Sequence, residues 1–129
     1  MAGLREFLKS RGLSFGHAFR GWWYVIRTQK NAWLHAVITA LVVVMAFWLG
    51  ISAQDWAILV LTMALVWSAE FFNTAIEAVV DLASPAHHPL AKTGKDVGAA
   101  AVLIAALAAA LVGLLILGPP LWEEISSLR

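Results

Sequence analysis

Three carboxylates and an amide interrupt an otherwise apolar run in Glu70-Phe-Phe-Asn-Thr-Ala-Ile-Glu-Ala-Val-Val-Asp81. On a helix of about 3.6 residues per turn, Glu70, Asn73, Glu77 and Asp81 fall within a stripe of roughly 80° and act in one direction. A carboxylate held just below a membrane interface suits a general base, and a lipid hydroxyl is a substrate that lives at that depth. Glu77, nearer water, suits a hard cation such as Mg²⁺ that bridges nucleotide phosphates. Asn73 can donate to a phosphate or orient the base, and Lys95 complements phosphate charge. Together these groups describe phosphoryl transfer from a soluble nucleotide to a membrane alcohol. Spacing alone also fits two glutamates that serve only as packing polar groups or as an ion path.

The elements that position these groups are membrane helices. The chain has 129 residues, 61% hydrophobic and 13% charged, with mean hydropathy +0.80, which describes one membrane domain over residues 1–129. The uncharged residues 56–69 lead directly into Glu70, and ionisable groups inside such a helix point to a functional site. Apolar runs predict transmembrane helices at about 32–50, 56–80 and 97–117, the last rich in Ala and Gly and ended by Gly118-Pro-Pro120. Between the second and third, Pro85, Pro89 and Gly94 predict a helix-breaking basic loop. The first apolar run starts only near Ala32, so no cleavable signal is expected.

Residues of about 4–30 predict an amphipathic surface helix. Phe15, Phe19, Trp22, Trp23 and Ile26 share one face, and His17, Arg20, Tyr24 and Arg27 share the other. A helix packed on the bundle with a solvated basic face fits the same pattern. Eight of the nine Lys and Arg residues lie before the first span or between the second and third, which predicts a cytoplasmic N-terminus and an outward C-terminus. With net charge +1 nothing argues for nucleic acid, and the absence of cysteine excludes disulfides, thiolate metal sites and a cysteine nucleophile. No Gly-rich phosphate loop or protein-kinase motif occurs. His35 reads as a hydrogen-bonded bundle residue, and His87 and His88, adjacent in a loop, are poorly arranged to face one metal ion.

The 70–81 motif resembles that of the small bacterial membrane lipid kinases, which include prokaryotic diacylglycerol kinase and undecaprenol kinase. That motif reads Glu, two residues, Asn, Ser or Thr, Ala, aliphatic, Glu, two residues, Val, Asp, and this chain satisfies it throughout. Lys95-Asp96 before an Ala-rich helix, and the order of surface helix plus three spans, extend the resemblance over roughly residues 10–118. It implies an all-α homotrimer in the bacterial inner membrane, with sites between neighbouring subunits at the cytoplasmic interface. Its donor would be ATP with Mg²⁺ as cofactor, and its acceptor undecaprenol or diacylglycerol. By resemblance, Glu70 is the catalytic base and Glu77 a magnesium and nucleotide ligand. His17, Gln29, Ala86, His87, His88, Lys95 and Asp96 would contact the nucleotide, Ala99 would let the lipid head approach, and Asn73 is the motif amide.

One position departs from the pattern. Gln29 stands where the family usually has a second metal-binding glutamate, and an amide coordinates through its carbonyl oxygen without supplying charge. A raised Mg²⁺ requirement is therefore expected. A non-catalytic lipid-binding or ion-conducting oligomer is the rival reading, and Gln29 is its only support.

Overall fold

The computed structural model describes residues 2–86 and 88–128. Within these the protein is all-helical, with α1 over Ala2–Thr28, α2 over Lys30–Leu49, α3 over Ala53–Ala83 and α4 over Pro89–Ser127. The helices α2, α3 and α4 are each long and apolar enough to cross a membrane. At 1.5 Å per residue their 20, 31 and 39 residues span about 30, 46 and 58 Å. The last two therefore reach well beyond a hydrocarbon core of about 30 Å.

Local chemistry sets the joints. Gly50 ends α2 in the left-handed region at φ 61°, where a side chain would be strained, and its N–H returns to the carbonyls of Ala46 and Phe47. Two residues on, the Ser52 hydroxyl accepts from the Asp55 N–H at 3.1 Å and donates to the Asp55 carboxylate at 2.6 Å, so α3 begins at once. At the other end Gln29 is extended between α1 and α2, which bends the chain and frees its side chain to turn inward.

Two expected helix breaks are not breaks. Pro89 stands in the first turn of α4, where its missing N–H would have had no helical partner, and the His88 ring accepts from the Leu90 N–H as an N-cap. Only residues 84–88 separate α3 from α4, and Gly94 is helical. Helix α4 also continues through Pro119 and Pro120 to Ser127. The proline ring fixes φ near the helical value, so the helix runs on while each proline forgoes the bond to the carbonyl four residues back.

Helices α3 and α4 form the principal contact, with α2 packed against both and α1 touching α2. The apolar core lies toward the α2–α3 turn, where Ala46, Leu59 and Leu117 meet, flanked by Met45, Trp56 and Met63. Most large apolar side chains on the spans are exposed, among them Leu41, Val44, Leu61, Leu65, Ile104 and Leu114. This surface suits lipid or other helices rather than water. An apolar cleft of about 480 Å³ opens between α2, α3 and α4, lined in part by Val42, Met63, Ala106, Ala110 and Gly113.

Candidate functional site

At the opposite end of the bundle from the apolar core the interior turns polar. Glu70, Asn73 and Thr74 are buried, and Glu70 is only 1% exposed, with the largest fully buried side chain among the described residues. The stripe read from the sequence is graded along α3, from Glu70 and Asn73 within, through half-buried Glu77, to exposed Asp81. A helix leaving a membrane interior would present these groups in that order.

Three elements converge on the stripe. From the α1–α2 joint, Gln29 Nε2 donates to Glu77 Oε2 at 3.3 Å, and within α3 Asn73 Nδ2 donates to Glu77 Oε1 at 3.0 Å. Glu77 is thus held between two amides, one of them 48 residues away in sequence. From α2, His35 Nε2 lies 3.7 Å from Glu70 Oε2, beyond hydrogen-bond distance. Both Glu70 carboxylate oxygens, His35 Nε2 and Asn73 Oδ1 are buried without a hydrogen-bond partner. Four orphaned polar atoms in one place mark a region with unmet bonding capacity. The backbone below is secured by Thr74, whose hydroxyl donates to the Glu70 carbonyl at 2.8 Å.

From α4 comes a close approach rather than a bond. A Cβ added to Gly98 would lie 2.4 Å from Asn73 Oδ1, so glycine is what lets the two principal helices meet at this level. An aromatic cluster lies beside the stripe: Trp22 of α1 stacks on Trp67 at 4.9 Å, and Phe71 lies 5.2 Å from Trp22. Trp67 is fixed further by donating Nε1–H to the Thr39 hydroxyl at 3.2 Å, and the His35 ring meets it edge-on.

The remaining expected site residues are spread around this centre. Lys95 pairs with Asp81 at 2.5 Å, joining α4 to the outer end of the stripe. Asp96 and Ala99 are exposed on α4, and the small residue against Asn73 is Gly98 rather than Ala99. Ala86 accepts from the Ser84 hydroxyl in the short loop, and the His88 ring is engaged as the α4 cap. His17 bonds Arg20 at 2.8 Å on the exposed face of α1. His87 lies outside the described residues. Among the described residues no group of three or more His, Asp or Glu is arranged to hold a metal.

Two participants were not read from the sequence as parts of the site. For His35 the pattern gives a bundle residue at the end of the Gln29–His35 segment that resembles the family's, and its depth is the further signal: it lies about one and a half turns into α2, as Glu70 lies about two turns in from Glu77. Gly98 had no signal beyond being a small residue in a membrane helix, where small residues mark close contacts.

Membrane-length helices that carry a buried carboxylate against a histidine, and a second carboxylate laced by amides at the interface, define a membrane protein with a polar site in its wall. Its relatives say which. Residues 16–117 match the prokaryotic diacylglycerol kinase family. The undecaprenol kinase of Bacillus subtilis (strain 168) is 42% identical over 118 residues, covering 92% of this chain and 93% of that protein. A diacylglycerol kinase of Synechocystis is 44% identical over 110 residues, covering 84% of this chain and 63% of that protein. The diacylglycerol kinase of Escherichia coli (strain K12) is 36% identical over 101 residues, covering 73% and 83%. The chain belongs to the prokaryotic diacylglycerol kinase family and is a lipid kinase, a phosphotransferase with an alcohol acceptor. The rival reading as a non-catalytic oligomer has nothing in these relatives to support it.

Proposed function

We propose that this kinase transfers the γ-phosphate of ATP to the hydroxyl of undecaprenol, with diacylglycerol as the second acceptor to test. The observation that carries the reading is Glu70: a buried carboxylate whose two oxygens lack partners, about 10 Å along the helix from the half-buried Glu77. An acceptor hydroxyl at the top of a lipid chain reaches that depth, whereas a soluble alcohol has no reason to. The order of acceptors follows the similarity to the Bacillus subtilis undecaprenol kinase, which spans nearly the whole of both chains.

In this mechanism Glu70 accepts the hydroxyl proton as the lipid oxygen attacks the γ-phosphorus. The bond from that phosphorus to the β,γ-bridging oxygen breaks, and ADP leaves with the electron pair. Lys95 attracts the nucleotide phosphates once its pairing with Asp81 loosens. Asn73 holds Glu77 in orientation, and the exposed residues His17, Ala86, His88 and Asp96, with His87, line the approach of the nucleotide.

The donors around Glu77 fit a hard cation. They are oxygens of one carboxylate and two amides, an amide turns its oxygen where its nitrogen was by a half rotation, and Asn73 Oδ1 is already buried without a partner. Mg²⁺ commonly takes one or two carboxylates and completes its shell with water and substrate phosphate, so a three-residue acidic cluster is not required. Glu77 and Gln29 would hold Mg²⁺, which when bound neutralises phosphate charge.

We also take the active assembly to be a homotrimer, with α1 on the cytoplasmic membrane surface and the site opening there. The exposed apolar faces of the spans, and the Ala and Gly lining of the cleft between them, suit close packing of a second copy.

The deciding experiment is transfer of radiolabelled phosphate from ATP to undecaprenol and to diacylglycerol in mixed micelles, in parallel, with Glu70→Gln as control. Labelled undecaprenol that disappears in the variant is the expected result. Preferential labelling of diacylglycerol would reverse the acceptor, and labelling that survives Glu70→Gln would remove the base.

A further inference from the structure

The lipid-kinase chemistry leaves one buried polar group without a task, the imidazole of His35. Its side chain is 11% exposed and faces a carboxylate that is 1% exposed, with Nε2 and Oε2 3.7 Å apart and neither bonded elsewhere. Leaving a buried donor and a buried acceptor both unsatisfied at this separation is costly, and a small side-chain rotation joins them. The ring has little other freedom. It abuts Trp67 edge-on, and Trp67 is held by the Thr39 hydroxyl one turn along α2 from His35 and by stacking on Trp22.

We infer that His35 is a positioning residue for the reaction, donating its Nε2–H to Oε2 of Glu70 so that Oε1 alone faces the acceptor hydroxyl. This rests on the reading of Glu70 as the base. A carboxylate held by one donor presents its remaining lone pairs in a single direction, whereas an unheld one samples both oxygens and several torsions. Base catalysis is sensitive to that alignment. Within this chain, as the structure stands, the other groups near Glu70 are engaged elsewhere. Glu77 is an acceptor already occupied by Gln29 and Asn73, the Asn73 amide nitrogen is committed to Glu77, and the Thr74 hydroxyl bonds the Glu70 backbone carbonyl. On α4, the residue at this level is Gly98, which has no side chain, and Lys95 is engaged with Asp81 farther out.

The test compares His35→Gln, which can bring an amide N–H to nearly the same point, with His35→Leu, which fills the space without a donor. Both are measured in mixed micelles with the preferred lipid and ATP, alongside Glu70→Gln and the double variant His35→Leu/Glu70→Gln. We expect His35→Leu to lower kcat on the order of 10- to 100-fold, with KM for lipid and ATP changed less than about twofold, and His35→Gln to recover most of the loss. The double variant should be no slower than Glu70→Gln alone, because His35 acts only through that carboxylate. Should His35→Leu fail to fold, as judged by its melting temperature in detergent, His35→Asn keeps a polar side chain too short to reach and replaces it in the comparison. Equal activity of the Gln and Leu (or Asn) variants, or a further loss in the double variant, would overturn the role of His35. Full activity of Glu70→Gln would instead overturn the base on which it rests, so the two failures are distinguishable.

Discussion

At the scale of single residues the proposed site divides its labour between two glutamates on one helix. Glu70 sits deep with its oxygens free, and Glu77 sits seven residues nearer the helix end with its oxygens engaged. Removing the charge of Glu70 while keeping its shape, as Glu70→Gln, should lower kcat by about 10²- to 10⁴-fold with the protein still folded, as checked by single-turnover phosphate transfer and thermal unfolding. Gln29 tests the other half. With Gln29 Nε2 3.3 Å from Glu77 Oε2, Gln29→Glu replaces a hydrogen bond by two facing carboxylates. We expect the variant to melt lower than the parent without divalent ion, to regain stability as Mg²⁺ is added, and to reach half-maximal activity at lower Mg²⁺. A Mg²⁺ dependence identical to that of the parent would separate Gln29 from the metal.

Elements matter through their close approaches and their ends. The α3–α4 contact depends on Gly98 lying under Asn73, and a methyl group there would have to displace the amide that orients Glu77. Gly98→Ala should cost about 1–3 kcal/mol of stability by overpacking, and activity should fall beyond what the lost folded fraction explains. Gly94→Ala is the control, because its added Cβ would make an ordinary contact 3.7 Å from Val80. Helix ends are secured separately. Ser52→Ala removes the α3 cap at the turn far from the site and should lower stability by about 1 kcal/mol while leaving kcat and KM unchanged. Thermal unfolding in detergent, set beside steady-state kinetics, reads both.

For the whole molecule the governing fact is how little of it is buried by its own chain. Large apolar side chains line the outer faces of all three spans, so the surroundings, lipid or further copies, complete the fold. The proposed trimer and orientation are open to direct measurement. Native mass spectrometry from detergent should report three copies. Because the chain has no cysteine, single cysteines introduced at Ser10 and Lys92 should react with an impermeant maleimide only from the cytoplasmic side. One at Ser127 should react only from outside. The opposite pattern, Ser10 and Lys92 reacting only from outside and Ser127 only from the cytoplasmic side, would reverse the topology, and labelling of all three from one side would overturn three crossings.

Much of this was legible in the primary structure, because membrane helices declare themselves through long uncharged runs and because a carboxylate in such a run has few innocent explanations. The four helices, the 70–81 stripe on one face and its gradation from buried Glu70 to exposed Asp81 all follow from composition and the 3.6-residue period. The full length of α4 did not. Pro89, Pro119 and Pro120 look like breaks in a linear pattern but sit where a missing N–H is harmless or where helical φ carries the chain on. Which residues meet across helices was beyond the pattern altogether. The pairing of Gln29 with Glu77, His35 facing Glu70, and Gly98 beneath Asn73 each depend on the rotation and offset of one helix against another. Those are set by side-chain packing summed over the interfaces, a quantity no single helix contains.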